Sequence, residues 1–164
     1  AGDIEYRGFE IDGVYTMTDT ITMVASLGYV HSKYKNLISD LTGDFIIDAL
    51  DYALEVPRAA PLTYSLGFNI DGNLGTWRSI TRISYYHRDK SYYNENNQGF
   101  INEQDILNFG YDIYSSDGKI NIGVYGKNLS NEVKHGGDTN LSFGGTFAPL
   151  AKGKIVGAEL VYKF

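Results

Sequence analysis

Seven stretches of this chain alternate between apolar and polar residues, and the connections joining them alternate in length, short and then long. The stretches are 3–16, 20–33, 61–71, 76–88, 105–115, 119–129 and 154–164. The period of two is that of a strand with two unlike faces. The first, third and fifth connections are Met17-Thr18-Asp19, Asp71-Gly72-Asn73-Leu74-Gly75 and Ser116-Asp117-Gly118. Their Asp-Gly and Gly-Asn pairs are tight-turn chemistry. The second, fourth and sixth run to about 27, 16 and 24 residues, and compact soluble domains rarely carry three such loops. Short turns at one end and long loops at the other describe a transmembrane β-barrel.

The two registers differ in chemistry. One reads Phe9, Ile11, Gly13, Tyr15; Ile21, Met23, Ala25, Leu27, Tyr29; Leu62, Tyr64, Leu66, Phe68, Ile70; and Trp77, Ser79, Thr81, Ile83, Tyr85. It continues through Leu107, Phe109, Tyr111, Ile113; Ile120, Ile122, Val124; and the closing Leu160, Tyr162, Phe164. The charges of the strand cores (Glu10, Asp12, Arg78, Arg82, Asp112, Lys127, Glu159, Lys163) all fall on the other register. Strands with two charges place both on one face. The charged face is then the lumen and the apolar face meets lipid. Tyr15, Trp77, Tyr162 and Phe164 form one aromatic girdle near the short turns, and Tyr29, Tyr64 and Tyr85 form the other. Asp3, Glu5 and Arg7 break the pattern by sharing parity with Phe9; a bulge near Gly8, or a top half rising beyond the bilayer, accounts for them.

Composition narrows the classes further. With 19 Gly, 14 Tyr, 3 Pro and no Cys, the chain suits strands and turns and has neither disulfides nor thiolate chemistry. A net charge of −6 without a basic run argues against nucleic acid as a partner. No apolar run is long enough for a membrane helix, but a spanning strand needs only one apolar face. Ala1-Gly2-Asp3 has no signal-peptide pattern, so either a leader has been removed or the start of the protein lies upstream. Seven is odd where bacterial single-chain barrels run even. Three architectures stay open: a complete eight-stranded outer-membrane barrel with a structural or adhesive role, the end of a larger barrel, and a soluble up-and-down barrel binding an apolar ligand. Val14, Val24, Ile80 and Val161 on the charged register keep the last open.

Several segments, in order, resemble the carboxy-terminal part of TonB-dependent outer-membrane receptors, plugged transporters of about 22 strands. They are Gly8-Phe9-Glu10-Ile11, the turn at Thr18-Asp19, Ala25-Ser26-Leu27-Gly28-Tyr29 and Val56-Pro57-Arg58-Ala59-Ala60-Pro61. Arg82 with Tyr85-Tyr86-His87-Arg88-Asp89, the segment Gly126-Lys127-Asn128-Leu129-Ser130-Asn131, and Gly157 to Phe164 continue the series. The stretch Ala151-Lys152-Gly153-Lys154 lacks the Pro-Arg often found before the last strand. The resemblance implies an all-β antiparallel meander, residues 1–164 being one segment of the barrel domain in the bacterial outer membrane. It implies uptake of a scarce nutrient such as a ferric siderophore, a cobalamin or a glycan. The implied partners are outer-membrane lipid, the barrel assembly machinery, the remaining strands and plug of the same receptor, and TonB through that plug. Loops 33–60, 89–104 and 130–153 are extracellular on this reading, and the plug and about fifteen strands lie elsewhere.

Candidate site residues are few. Arg82, Tyr86 and Arg88 face the lumen near the mouth, as ligand or plug contacts or as lumen filling paired with Asp112 or Glu10. Leu160, Tyr162 and Phe164 make a C-terminal assembly signal by resemblance. His31, His87 and His135 have no ligand spacing, and Asp71 to Gly75 lacks the distal Glu of a calcium loop. In the second loop Asp40, Asp44, Asp48, Asp51 and Glu55 form an acidic run. Asp44 as N-cap, with Ile46, Ile47, Leu50, Ala53 and Leu54 at helical spacing, predicts a short amphipathic helix over the mouth; a cation-attracting patch is the alternative. No nucleophile elbow, phosphate loop or zinc motif occurs, and neither an enzyme, a metal nor a cofactor is expected.

Overall fold

The computed structural model describes residues 2–134, 139–141 and 145–164. In chain order its elements are β1 (Asp3–Thr16), β2 (Ile21–Asn36), α1 (Ala49–Tyr52), β3 (Leu62–Leu74), β4 (Trp77–Arg88), β5 (Ser91–Tyr92) and β6 (Phe100–Ile101). They continue with β7 (Gln104–Tyr114), β8 (Ile120–Lys127), β9 (Thr139–Leu141), β10 (Gly145–Phe147) and β11 (Ile155–Tyr162). One seven-stranded sheet runs in the order β1-β2-β3-β4-β7-β8-β11, every pair antiparallel. These are the seven expected stretches. Two small hairpins, β5-β6 and β9-β10, stand in the fourth and sixth connections. Among the described residues β1 and β11 are both edges, so the sheet does not close on itself.

The short turns are built as their residues require, with one shift. Asp71 to Gly75 is not a five-residue turn: β3 runs on to Leu74, which pairs with Trp77, leaving only Gly75-Thr76 between the strands. Gly75 has φ +62°, as the first residue of a II′-type hairpin requires, and the pairing it permits is stronger than the Asp-Gly signal upstream. The fifth turn relies on Gly118 at φ +70°. There the Asp117 carboxylate accepts from Ser115 Oγ at 2.6 Å and from the Lys119 amide at 3.1 Å. The Ser115 hydroxyl and Lys119 amide hold this carboxyl below its usual range.

Register carries each face across the sheet. One row joins Tyr15, Met23, Phe68, Ile83 and Phe109, and another joins Ile113, Ile122 and Leu160. Asp71, Ile80, Asp112, Gly123 and Glu159 form a row on the opposite face. The expected bulge near Gly8 is absent. Gly8 pairs in register with Val30, and its hydrogen side lies so near the Tyr29 carbonyl that a Cβ would sit 2.1 Å from it. The ladder shifts instead between Asp3 and Ile4. Asp3, Glu5 and Arg7 therefore stay on the parity of Phe9.

The sheet has no core of its own. Ile11 is 62% exposed and Leu160 70%. The buried apolar residues, Tyr34, Leu37, Val56, Ala60 and Ile101, belong to the long-loop end. A soluble sandwich or barrel turns its apolar face inward, and this face is uncovered.

Candidate functional site at the long-loop end

The charged face is cross-linked between strands. Arg82 on β4 sits opposite Gly110, and its guanidinium reaches diagonally to the Asp112 carboxylate on β7. Arg78 donates to Asp71 at 2.6 Å, Asn108 Nδ2 to Ser84 Oγ at 3.2 Å, and the Ser26 and Ser65 hydroxyls meet at 2.7 Å. Arg82, Tyr86 and Arg88 lie on this face at alternate positions rising toward the loops. Their environments differ. Arg82 is committed to Asp112, Arg88 donates to Ser91 Oγ at 2.9 Å, and Tyr86 is half-buried in the row of Asp12, Ser26, Ser65 and Ile106. Glu10 shares Arg88's row without an ion pair to it among the described residues.

The acidic loop folds around its own carboxylates. Asp51 is fully buried and accepts from the amides of Leu41 at 2.7 Å, Thr42 at 2.9 Å and Asp48 at 3.0 Å. Asp40 accepts from the amides of Gly43 and Phe45 and the Thr42 hydroxyl. The Asp48 amide, with those of Leu41 and Thr42, keeps Asp51 below the usual carboxylate range, and the Gly43 and Phe45 amides do the same for Asp40. These two carboxylates are engaged by the loop's own backbone amides. The helix is also smaller than its spacing suggested. It is one turn capped by Asp48, while Asp44 accepts from Ile46 N instead of capping. Of the five apolar residues, Leu54 packs on Tyr34, Leu37 and Val56, whereas Ile46, Ile47 and Leu50 face out. Asp40 draws the amides that follow it, and Asp51 those that precede it, into turns, and the helix is left short.

Two long loops interlock. The Glu55 amide donates to Asn97 Oδ1 and Asn97 Nδ2 returns a bond to the Glu55 carbonyl, both at 2.8 Å. The Arg58 amide donates to the Tyr92 carbonyl at 2.7 Å, and its guanidinium lies 4.8 Å from the centre of the Tyr93 ring.

The segment Lys127 to Asn131 is a clasp. Asn128, at φ +50° and buried, donates through Nδ2 to the carbonyls of Glu132 and Lys152, and its Oδ1 accepts from the Glu132 amide and the Ser130 hydroxyl. The Leu129 amide donates to the Leu107 carbonyl. The top of β8 is thereby fixed to β7 and to the approach to β11.

Sequence reading missed one cluster. His87 Nδ1 lies 2.7 Å from Asp105 and Nε2 lies 3.0 Å from Asp89, with the Tyr64 ring stacked at 4.7 Å and the Tyr85 hydroxyl donating to Asp105 at 2.5 Å. His87 pairs with both Tyr64 and Asp105 across the ladders, so strand register was the signal that would have found it. His135 lies outside the described residues. No metal-binding group of His, Cys, Asp or Glu occurs among the described residues.

No family model and no curated protein matches this sequence. Solved structures do. The ferric yersiniabactin uptake receptor FyuA from Yersinia pestis superposes with a TM-score of 0.81 at 15% identity, covering 100% of this chain and 24% of the receptor. The fold is that of a siderophore-receptor barrel segment. The siderophore receptor PiuA from Acinetobacter baumannii gives 0.75 at 18% identity, covering 99% of this chain and 22% of that one. BauA, the ferric preacinetobactin receptor of the same organism, gives 0.73 at 12% identity over 99% and 22%. The chain thus spans under a quarter of these receptors.

Proposed function

We propose that this chain forms a segment of the barrel of a TonB-dependent receptor that imports a ferric siderophore across the bacterial outer membrane. The observation that carries this is the open antiparallel meander with an uncovered apolar face, which superposes over its whole length on siderophore-receptor barrels. The apolar face meets lipid and the charged face lines the lumen, where the Arg82–Asp112 and Arg78–Asp71 pairs are partnered across strands. The long-loop end is extracellular. Tyr86 and Arg88, at the top of the lumen face, are the contacts offered to ligand or plug, and Arg82 serves to brace β4 against β7. On this reading β11, with Leu160 and Tyr162 alternating along it and Phe164 just beyond it, is the strand that the assembly machinery recognises. The plug and TonB act through the rest of the receptor.

The test is iron uptake by the whole receptor in a strain stripped of its own siderophore receptors, with and without TonB. TonB-dependent accumulation of iron from a ferric siderophore is expected. Uptake of none across a panel of catecholate, hydroxamate and mixed siderophores, or uptake indifferent to TonB, would overturn it. The lipid assignment is read separately, by a nitroxide at Ile11→Cys that lipid-dissolved oxygen should relax more than an aqueous chelate does.

A further inference from the structure

Above the Phe9–Tyr29 pair the two faces exchange character. Below it, the charges of β1 and β2 (Glu10, Asp12) point to the lumen face; above it, Glu5, Arg7, His31 and Lys33 all lie on the parity of Phe9 and Tyr29. On the lumen parity at the same height stand Ile4, Tyr6, Val30, Ser32 and Tyr34, with no formal charge. Tyr34 is buried there with Leu37 and Val56 under the second loop. The outward charges are also gathered. Arg7 Nη2 lies 3.0 Å and Lys35 Nζ 3.4 Å from Glu5 Oε2, with Lys33 Nζ 3.5 Å from Oε1. Lys35 reaches the cluster because the ladder skips it, Asp3 pairing with Asn36 and Ile4 with Tyr34. Three cations share one carboxylate, and with Asp3 next along the same parity the local excess is one positive charge (3 − 2) in a chain of net −6.

Height places this excess at the edge of the hydrocarbon. A strand rises about 3.3 Å per residue and tilts by about 45° in such barrels, so ten residues from Tyr15 to Glu5 climb roughly 23 Å of an apolar band about 25 Å tall. We propose that Arg7, Lys33 and Lys35, arrayed on Glu5, bind a phosphate of the phosphorylated glycolipid that forms the outer leaflet. The carboxylate is 23% exposed beneath cations that are 72%, 45% and 46% exposed, so it positions them while leaving their outward donors free. What needs a partner is the outward direction of these charges, opposite to Glu10 and Asp12 below and with no formal charge on the lumen parity at their height. An anionic headgroup layer supplies that partner, since cations near such a surface are drawn to it individually. The inference rests on the proposed orientation with the apolar face in lipid.

The experiment is native mass spectrometry of the whole receptor in detergent, titrated with bisphosphorylated lipid A, with dephosphorylated lipid A and with inorganic phosphate. Arg7→Gln/Lys33→Gln/Lys35→Gln should weaken bisphosphorylated lipid A by on the order of a hundredfold, about fivefold per cation, and leave the dephosphorylated lipid unchanged. Lys119→Gln/Lys163→Gln, at the opposite end, should change neither. If the triple variant does not fold, judged by heat-modifiable migration, Lys35→Gln alone should show the fivefold loss. Unchanged binding of bisphosphorylated lipid A overturns the site, and inorganic phosphate competing as well as the lipid overturns the lipid as its source. The nitroxide at Ile11→Cys separates the two readings. A water-exposed label there overturns the orientation itself, whereas a lipid-exposed label with unaltered binding removes only the phosphate site.

Discussion

Leu160 and Glu159 are neighbours in one strand with opposite fates. Leu160 shares a row with Ile122 and Ile113 and is 70% exposed, while Glu159 pairs with Gly123 beside Asp112. With the apolar face in lipid, Leu160→Asp puts a carboxylate where no water solvates it, a cost of up to about 2 kcal/mol for an acid at the midplane, and Glu159→Gln costs little. Heat-modifiable migration and outer-membrane yield of the whole receptor read the difference; equal tolerance would mean the assigned register is wrong, and the lipid-facing reading would go with it. Arg82 supplies a second expectation. Its guanidinium is half exposed and already engaged by Asp112, so Arg82→Gln should cost at most about 1 kcal/mol of stability and leave uptake unaltered. Loss of uptake with unchanged folding would make it a ligand contact after all. The parity of both residues was legible from period-two patterning, because a strand fixes which face each residue takes. The partnership of Arg82 with Asp112 was only one of several options, since a diagonal contact depends on the register between β4 and β7.

Elements were legible wherever the chain's own repeat dictated them, and the seven long strands follow the pattern within a few residues. What failed was local competition. Asp51 could cap, pair or bond backwards, and its choice of the Leu41 and Thr42 amides shortened the helix. Because those bonds favour the ionised form, the order they give the second loop is fully present above the ordinary carboxylate pKa and is lost as pH falls through the lower folded value. Hydrogen exchange at the Leu41 and Thr42 amides should therefore stay slow at neutral pH and accelerate only in acid. Asp51→Asn should show fast exchange at every pH, and an unchanged profile would remove Asp51 from the account. The clasp at Asn128 gives a sharper contrast. Asn128→Ala removes the bonds to the Glu132 and Lys152 groups, which are part-buried, at about 1 kcal/mol for each hydrogen bond lost. Asn128→Gly suits φ +50° yet loses the same bonds, so both should loosen the approach to β11 to limited proteolysis. Rescue by glycine would mean that backbone conformation, and not the clasp, is what the segment supplies.

At the scale of the whole chain, the alternation of short turns and long loops is the feature that survives from sequence to structure, and the absence of a core explains why. A sheet whose apolar face is bare and whose two outer strands, β1 and β11, carry unpaired backbone groups has nothing in water to satisfy either. On the proposed function, lipid covers the face and further strands of the receptor pair with the edges. The three architectures left open by sequence then separate on one measurement. Refolded by itself, the chain should associate in buffer through its edges, and detergent should relieve only the part of that association due to the apolar face. Size-exclusion chromatography with light scattering, in buffer and in detergent, reads both contributions. A monodisperse monomer in buffer that takes up an apolar dye would support the soluble barrel. A heat-modifiable monomer in detergent, with β11 exchange-protected along its outer edge by pairing with β1, would support a small closed barrel. Oligomers in buffer, and in detergent a species whose β1 and β11 outer amides exchange freely, are the outcome expected of strands that need the rest of a receptor to finish their ladder.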